Sequence, residues 1–237
     1  CESRSPTVCI RKALANAFAV RAPTTGSSGA SRTPVDMAPS LRLGSRLIGV
    51  TRIISGFAGS RELKVPKSGT RPTSDRVREA IFSALEARDV IEGSNVLDLY
   101  AGSGALGLEA MSRGAAHATF VEKSAPAAGL LRSNCELITG AGKLPSSAAR
   151  VTVAPVISYL NTTADREFDL VFIDPPYDLA ENDVTSMFEH LVSHLASGAE
   201  IVYERSSRSP EPTLPENLSL TKSKAYGETT VHWITAN

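Results

Sequence analysis

Residues 95–107 read Asn95-Val96-Leu97-Asp98-Leu99-Tyr100-Ala101-Gly102-Ser103-Gly104-Ala105-Leu106-Gly107. A short apolar run ends in an acid, a glycine-rich turn follows, and Ala105–Arg113 then takes up helical spacing. Strand, tight turn and helix in that order make the opening unit of a wound α/β sheet. Glycines let the backbone approach a ligand closely, and they leave the first N–H groups of the next helix free to meet it. Gly102, Gly104 and Gly107 also spell G-x-G-x-x-G, and Glu122 follows Gly102 by twenty residues at the end of the next apolar run. That spacing fits a dinucleotide site as well, so the turn alone leaves two cofactor classes open.

Asp98 separates them. An acid four residues before the first glycine, at the carboxyl end of the strand, suits a cationic ligand such as the methionine ammonium of S-adenosylmethionine. A dinucleotide pyrophosphate would be repelled by that carboxylate. Glu122 serves either class by accepting hydrogen bonds from ribose hydroxyls. The candidate cofactor-binding residues are therefore Asp98, Tyr100, Ala101, Gly102, Gly104 and Glu122, with S-adenosylmethionine the expected cofactor.

Outward from this turn, short apolar runs alternate with helical stretches. Strands are expected at Asn95–Tyr100, Ala118–Glu122, Arg150–Val153, Phe168–Ile173 and Ala199–Glu204. Helices are expected at Ala105–Arg113, Ala125–Ile138, Val156–Leu160 and Glu181–Leu195, with a loop over Gly140–Ser147. The pattern predicts an α/β fold, a doubly wound and mostly parallel sheet covered on both faces. Leu218–Lys222 and Thr229–Thr235, around Tyr226-Gly227, read as a hairpin closing one sheet edge. Upstream, Arg52–Val65 is broken by Ser55–Gly59 and reads as a small β-hairpin extension. Thr73 or Ser74 then caps a helix with Asp75 in its first turn and Val77, Ile81 and Leu85 on one face.

Asp174-Pro175-Pro176-Tyr177 follows the apolar run Phe168–Ile173. Two prolines cannot continue a central strand, so the chain leaves the sheet rigidly at its carboxyl end, where ligands of open α/β sheets bind. The Asp174 carboxylate and the Pro175 carbonyl can converge on one small donor. An amine conjugated to a ring is a poor nucleophile, and accepting hydrogen bonds from its N–H groups localises its lone pair. Much of such catalysis is orientation. Tyr177 offers an aromatic face on which an unstacked base can lie. Asp174, Pro175, Pro176 and Tyr177 are the candidate catalytic residues, for methylation of an exocyclic amine.

The chain of 237 residues has room for one such domain and a short appendage. Residues 1–49 carry seven basic residues against two acids, while the remainder carries eighteen against twenty-three. This Ser-, Pro- and Arg-rich segment is expected to be disordered, either as a transit-like extension or as an over-extended reading frame ahead of a start at Val50. The expected organisation is 1–49 basic extension, 50–72 hairpin and loop, and 73–237 catalytic domain. Cys1, Cys9 and Cys135 are too few and scattered for a disulfide framework or a zinc knuckle, and the expectation is a reduced chain with one core cysteine. No run of about 18 apolar residues suggests a membrane span. His190 and His194 are four apart, but with no third ligand they read as a surface pair, and no metal is expected.

These residues together resemble the bacterial 16S ribosomal RNA guanine-N2 methyltransferase family, over about Thr51–Thr235. The matching stretches are Thr51–Gly56, Arg71–Glu79, Asp98–Gly104, Phe120–Glu122 and Asp174–Tyr177. The glycine turn is shared by many methyltransferases, and the block at Arg71-Pro72-Thr73 is the family-specific part. The resemblance implies a Rossmann-like class I methyltransferase domain acting on a guanine N2 amine of small-subunit ribosomal RNA. A monomer in the cytoplasm is expected, with organelle import open if residues 1–49 are a transit peptide. Ser83 departs from an Asn common in the family, and Ala154-Pro155-Val156 stands in place of an acid that reads the adenine amine. Around the hairpin, Arg52, Arg61, Lys64, Lys67, Arg71, Arg76 and Arg78 outnumber Glu62, Asp75 and Glu79. Of these, Arg52, Arg61, Lys64, Arg71, Arg76 and Arg78 are the candidate RNA contacts, and Phe57 at the hairpin tip is either core or contact. Rival readings are DNA adenine or cytosine methylation, protein glutamine methylation, a nicotinamide oxidoreductase, and a ribosome-assembly factor without catalysis.

Overall fold

The structure, a computed structural model, describes residues 48–66, 75–162 and 167–237. Two strands, β1 (Ile48–Arg52) and β2 (Glu62–Pro66), pair antiparallel as a separate hairpin. The main body alternates β3 (Asn95–Leu99), α2 (Ala105–Ser112), β4 (His117–Glu122), α3 (Ala125–Gly142), β5 (Ala149–Val153), α4 (Val156–Leu160), β6 (Phe168–Ile173) and α5 (Glu181–Leu191), with α1 (Asp75–Ala87) ahead of it. It closes with β7 (Leu195–Ser206), β8 (Leu218–Tyr226) and β9 (Thr229–Ala236).

The seven strands of the sheet lie in the order β5-β4-β3-β6-β7-β9-β8. The first five are parallel, and β9 and β8 add antiparallel at the end, as the closing hairpin predicts. Alternate residues of β6 enter two different cores: Leu170 and Phe172 pack with α1, α2 and α3, while Val171 and Ile173 pack with α4 and α5. A side-chain period of two along a strand buried on both faces requires helices on each side. The winding reverses between β3 and β6, and there the register sets Asp98 beside Phe172, two residues short of Asp174.

Side chains from α2 and α3 tie the hairpin to this body. Glu109 of α2 accepts the Ile54 and Ser55 N–H groups at 2.7 and 3.0 Å. Ser112 accepts the Ala58 N–H and donates to the Ser55 carbonyl. Asn134 of α3 accepts from the Lys64 N–H and donates to the Lys64 and Ser103 carbonyls. Gly56 has φ +81°, and a Cβ there would fall 1.9 Å from the Ser112 carbonyl oxygen, so both backbone and space demand glycine.

Several boundaries differ from the sequence reading. Pairing in β1 begins at Ile48, ahead of Val50, because Ile48 has a partner in Pro66. Helix α3 runs four residues past Ile138 into the stretch expected as loop, and ends where Lys143 adopts φ 52°. Packing of Ile138 and Thr139 against the sheet outweighs the helix cost of Gly140 and Gly142. Helix α5 stops at Leu191, and a 3-10 turn over Val192–His194 leads into a strand that already starts at Leu195. His194 is not a surface residue: it is 1% exposed, its Nε2 donates to the Leu160 carbonyl, and its ring stacks on Tyr159. Cys135 is buried in the core. Cys1, Cys9, nearly all of the basic extension, and the Thr73 or Ser74 cap lie outside the described residues.

Candidate active site

The carboxyl ends of β3, β4 and β6 open into one cleft of about 680 Å³. Asp98, Tyr100, Ala101, Gly102, Ser103 and Glu122 line one part of it, and Asp174, Pro175, Pro176 and Tyr177 another. The two motifs read separately in the sequence thus meet across a single space. Of the expected cofactor residues only Gly104 is not in the lining, and its place in the fold explains why it is a glycine. It has φ +78°, and a Cβ there would lie 2.4 Å from Leu131 Cδ1, beneath the turn and not in the cleft. Tyr100 and Gly102 also adopt positive φ, 59° and 53°, which folds the turn back so that the Ala101 N–H reaches the Val121 carbonyl.

Both acids of the glycine turn hold main chain as well as facing the cleft. Glu122 accepts the Gly102 N–H at 2.9 Å through one oxygen and the Ser124 N–H at 2.7 Å through the other. It thereby clamps the glycine turn to the start of α3. Asp98 is 3% exposed and accepts the Gly107 N–H at 2.9 Å. Burial pushes its carboxyl up to about 8; the Gly107 N–H pulls the other way, and the charges of Asp174 and Glu122 push it up further. A buried acid held among other acids is poised for a cation, which would restore its charged form. Gly107 makes room for this, since a Cβ would sit 2.5 Å from the Phe120 ring and 3.1 Å from Asp98 Oδ2. These features together fit the zwitterionic, cationic end of S-adenosylmethionine.

The second motif forms a rigid exit from β6. Pro175 is buried while Pro176 and Tyr177 are exposed, Tyr177 at 48%. The Tyr177 hydroxyl lies 3.4 Å from Thr229 Oγ1, which steadies the ring at the cleft mouth with a face left open. Behind the loop stands a residue that the sequence reading missed. Arg205 of β7, 2% exposed, donates to the Pro176 and Leu179 carbonyls at 3.3 and 2.9 Å and pairs with Glu181 at the start of α5. Nothing in the local sequence marks it, because its partners are main-chain oxygens more than twenty residues away. Glu109, Ser112 and Asn134 escaped notice for the same reason.

The basic residues divide. Arg52, Arg61, Lys64 and Arg76 are exposed around the hairpin and α1. Arg71 and Lys67 lie outside the described residues. Arg78 does not belong to an outer face at all. It is 1% exposed, lines the cleft, and donates through Nη2 to Thr51 Oγ1, the Arg52 carbonyl and Asp75. Its position on α1 beside Ile81 and Phe82 turns it inward with the apolar face. Phe57 is 46% exposed and lies against Gly142 of α3. Among the described residues there is no cluster of three or more side chains suited to a metal, and no helix long and apolar enough to cross a membrane.

Residues 51–235 match the family described as conserved hypothetical protein 95. The chain is 38% identical over 183 residues to ribosomal RNA small subunit methyltransferase D of Escherichia coli K12, covering 76% of this chain and 87% of that one. Its fold superposes on the solved structure of the Escherichia coli protein yhhF with a TM-score of 0.69 at 34% identity, over 80% of this chain and 99% of that chain. It also superposes on SMU.776 complexed with SAH, with a TM-score of 0.61 over 82% of this chain and 57% of that one. Identity to SMU.776 is 12%, so that likeness is one of fold alone.

Proposed function

The chain belongs to the conserved hypothetical protein 95 family, and from that premise we propose that it methylates the exocyclic N2 amine of a guanine in small-subunit (16S) ribosomal RNA. The broader statement, an S-adenosylmethionine-dependent ribosomal RNA methyltransferase of Rossmann-like class I fold, rests on the relatives and on the sheet order. The choice of an amine as acceptor rests on one observation: Asp174-Pro175-Pro176-Tyr177 leaves β6 beside the strand carrying Asp98, and both line one cleft. Guanine N2 is the finer part of the proposal, drawn from the family resemblance.

S-adenosylmethionine, when bound, supplies an electrophilic methyl group on a sulfonium. Asp98 would hold its ammonium, and the Glu122 carboxylate would accept from the ribose hydroxyls. The Asp174 carboxylate and the Pro175 carbonyl accept the two N–H groups of the acceptor amine, which localises the nitrogen lone pair. Tyr177 stacks on the base outside its helix, and Asp174 can take the proton that the methylated nitrogen sheds. A carboxylate at the end of β3 disfavours the pyrophosphate of a nicotinamide cofactor.

Exposed Arg52, Arg61, Lys64 and Arg76, with Arg71, supply phosphate contacts to the RNA within the small subunit. The enzyme works as a cytoplasmic monomer in this reading. The test is transfer from methyl-labelled S-adenosylmethionine to unmodified small subunits, followed by nucleoside digestion. Label in N2-methylguanosine with wild type and none with Asp174→Ala is expected. Equal labelling by both proteins, or label in adenosine or cytidine, overturns the proposal.

A further inference from the structure

Arg78 has donors to spare. A guanidinium stays protonated at any working pH and carries five N–H groups. Nη2 serves Thr51 Oγ1 at 3.1 Å, the Arg52 carbonyl at 2.9 Å and Asp75 Oδ1 at 2.7 Å. Nε and Nη1 are buried and meet no acceptor among the described residues. Buried polar groups are nearly always paired, and a cation short of partners marks a place where an acceptor belongs. The side chain is 1% exposed, yet it lines the cleft together with Thr51 and Val65.

An oxyanion is the acceptor that best satisfies a guanidinium edge. Arg78 lines the cleft from the hairpin side, bonded to Thr51 and Arg52, whereas Asp98 lies near the carboxyl end of β3. The carboxylate of a methionine whose ammonium rests on Asp98 belongs near that end, not at the hairpin wall. Outward from Arg78, Asp75 also meets Arg52 at 3.6 Å, and Arg52 is 66% exposed. A buried cation and an exposed one thus flank a single carboxylate, and their spacing leads from the outer basic face into the cleft.

We propose that Arg78 binds the backbone phosphate of the nucleotide that carries the acceptor amine, as a subsite inside the cleft. It acts there as a binding residue and takes no part in methyl transfer. The inference rests on the reading of RNA as acceptor. It divides the basic residues into an outer set that attracts RNA and one inner residue that seats the extruded nucleotide.

The experiment compares wild type, Arg78→Lys and Arg78→Met in the full chain, measuring kcat/KM on unmethylated small subunits and the affinity for S-adenosylhomocysteine. Arg78→Met should lower kcat/KM at least tenfold, leave S-adenosylhomocysteine affinity within about twofold, and reduce the slope of log kcat/KM against log salt by roughly 0.7 to 0.9. Arg78→Lys should recover part of the loss as a point charge. Weaker S-adenosylhomocysteine binding with unchanged RNA kinetics would assign the oxyanion to the cofactor and overturn the proposal, as would no change in either.

Should Arg78→Met fail to fold, wild-type protein with 15N-labelled arginine decides instead. The Arg78 Nε–H signal should shift on titration with inorganic phosphate, and a signal that stays fixed refutes the subsite. A wild-type enzyme inactive on small subunits but with a phosphate-shifted Arg78 would sink the RNA reading and leave the oxyanion site standing.

Discussion

At mildly acidic pH the ligand-free cleft holds a proton on Asp98 that a cationic ligand must displace. Its carboxyl is raised to about 8, first by burial and then by Asp174 and Glu122, against the pull of the Gly107 N–H. The bound ammonium favours the charged carboxylate, so binding and proton release are linked. From about pH 5.5 to 7 the ligand's ammonium stays protonated while free Asp98 stays mostly protonated, and each pH unit contributes ~1.4 kcal/mol. Affinity for S-adenosylhomocysteine should therefore rise roughly thirtyfold, about 2 kcal/mol, over that interval. Calorimetric titration in two buffers of different ionisation heat should report close to one proton released per ligand. Asp98→Asn should bind more weakly at pH 7 and lose the pH dependence. A wild-type affinity flat over this range, with no buffer-dependent heat, would show that Asp98 is already charged in the free protein and refute the reasoning.

The same raised carboxyl makes ligand-free stability pH-dependent. Its folded pKa of about 8 lies above the 3.8 of the ordinary group, so its stabilising contribution is complete below that lower value and is lost as pH rises through the higher one. The thermal midpoint of the free protein should fall from pH 6 to pH 9, and Asp98→Asn should flatten that fall. Arg205→Met removes the donors to the Pro176 and Leu179 carbonyls and should lower kcat about tenfold or more while S-adenosylhomocysteine affinity holds, since displacement of a catalytic loop by ~1 Å is costly; unchanged kcat would show that the loop needs no such support. Glu109→Ala strands the Ile54 and Ser55 N–H groups and leaves Arg113 with Glu86 alone, so urea unfolding should show a loss of about 1–3 kcal/mol for each stranded N–H. Gly107→Ala forces a methyl against Phe120 and Asp98 and should cost about 1–3 kcal/mol of stability and weaken S-adenosylhomocysteine binding.

Hairpin placement shows how local and distant information divide. Ser55–Gly59 marks a turn in any context, because two glycines within five residues interrupt the apolar runs on either side. Where that hairpin docks depends on Glu109, Ser112 and Asn134, which read in the sequence as unremarkable helix residues. Arg78 gives the converse case. Its chemistry was plain, but its direction was not: a basic residue on an amphipathic helix is exposed unless a neighbouring strand supplies acceptors, as Thr51 and Arg52 do here.

Sequence by itself determined the alternation of strand and helix, the glycine turn after β3 and the proline exit from β6. Each of these is set by residues close together in the chain, through backbone freedom, ring constraint and apolar period. Tertiary structure alone decided that the two motifs share one cleft, that Asp98 is buried deeply enough to hold a proton near neutral pH, and that Arg78 and Arg205 face inward. Those outcomes depend on strand order and on main-chain partners far along the chain. Desolvation and hydrogen-bond geometry arise only once the strands are side by side.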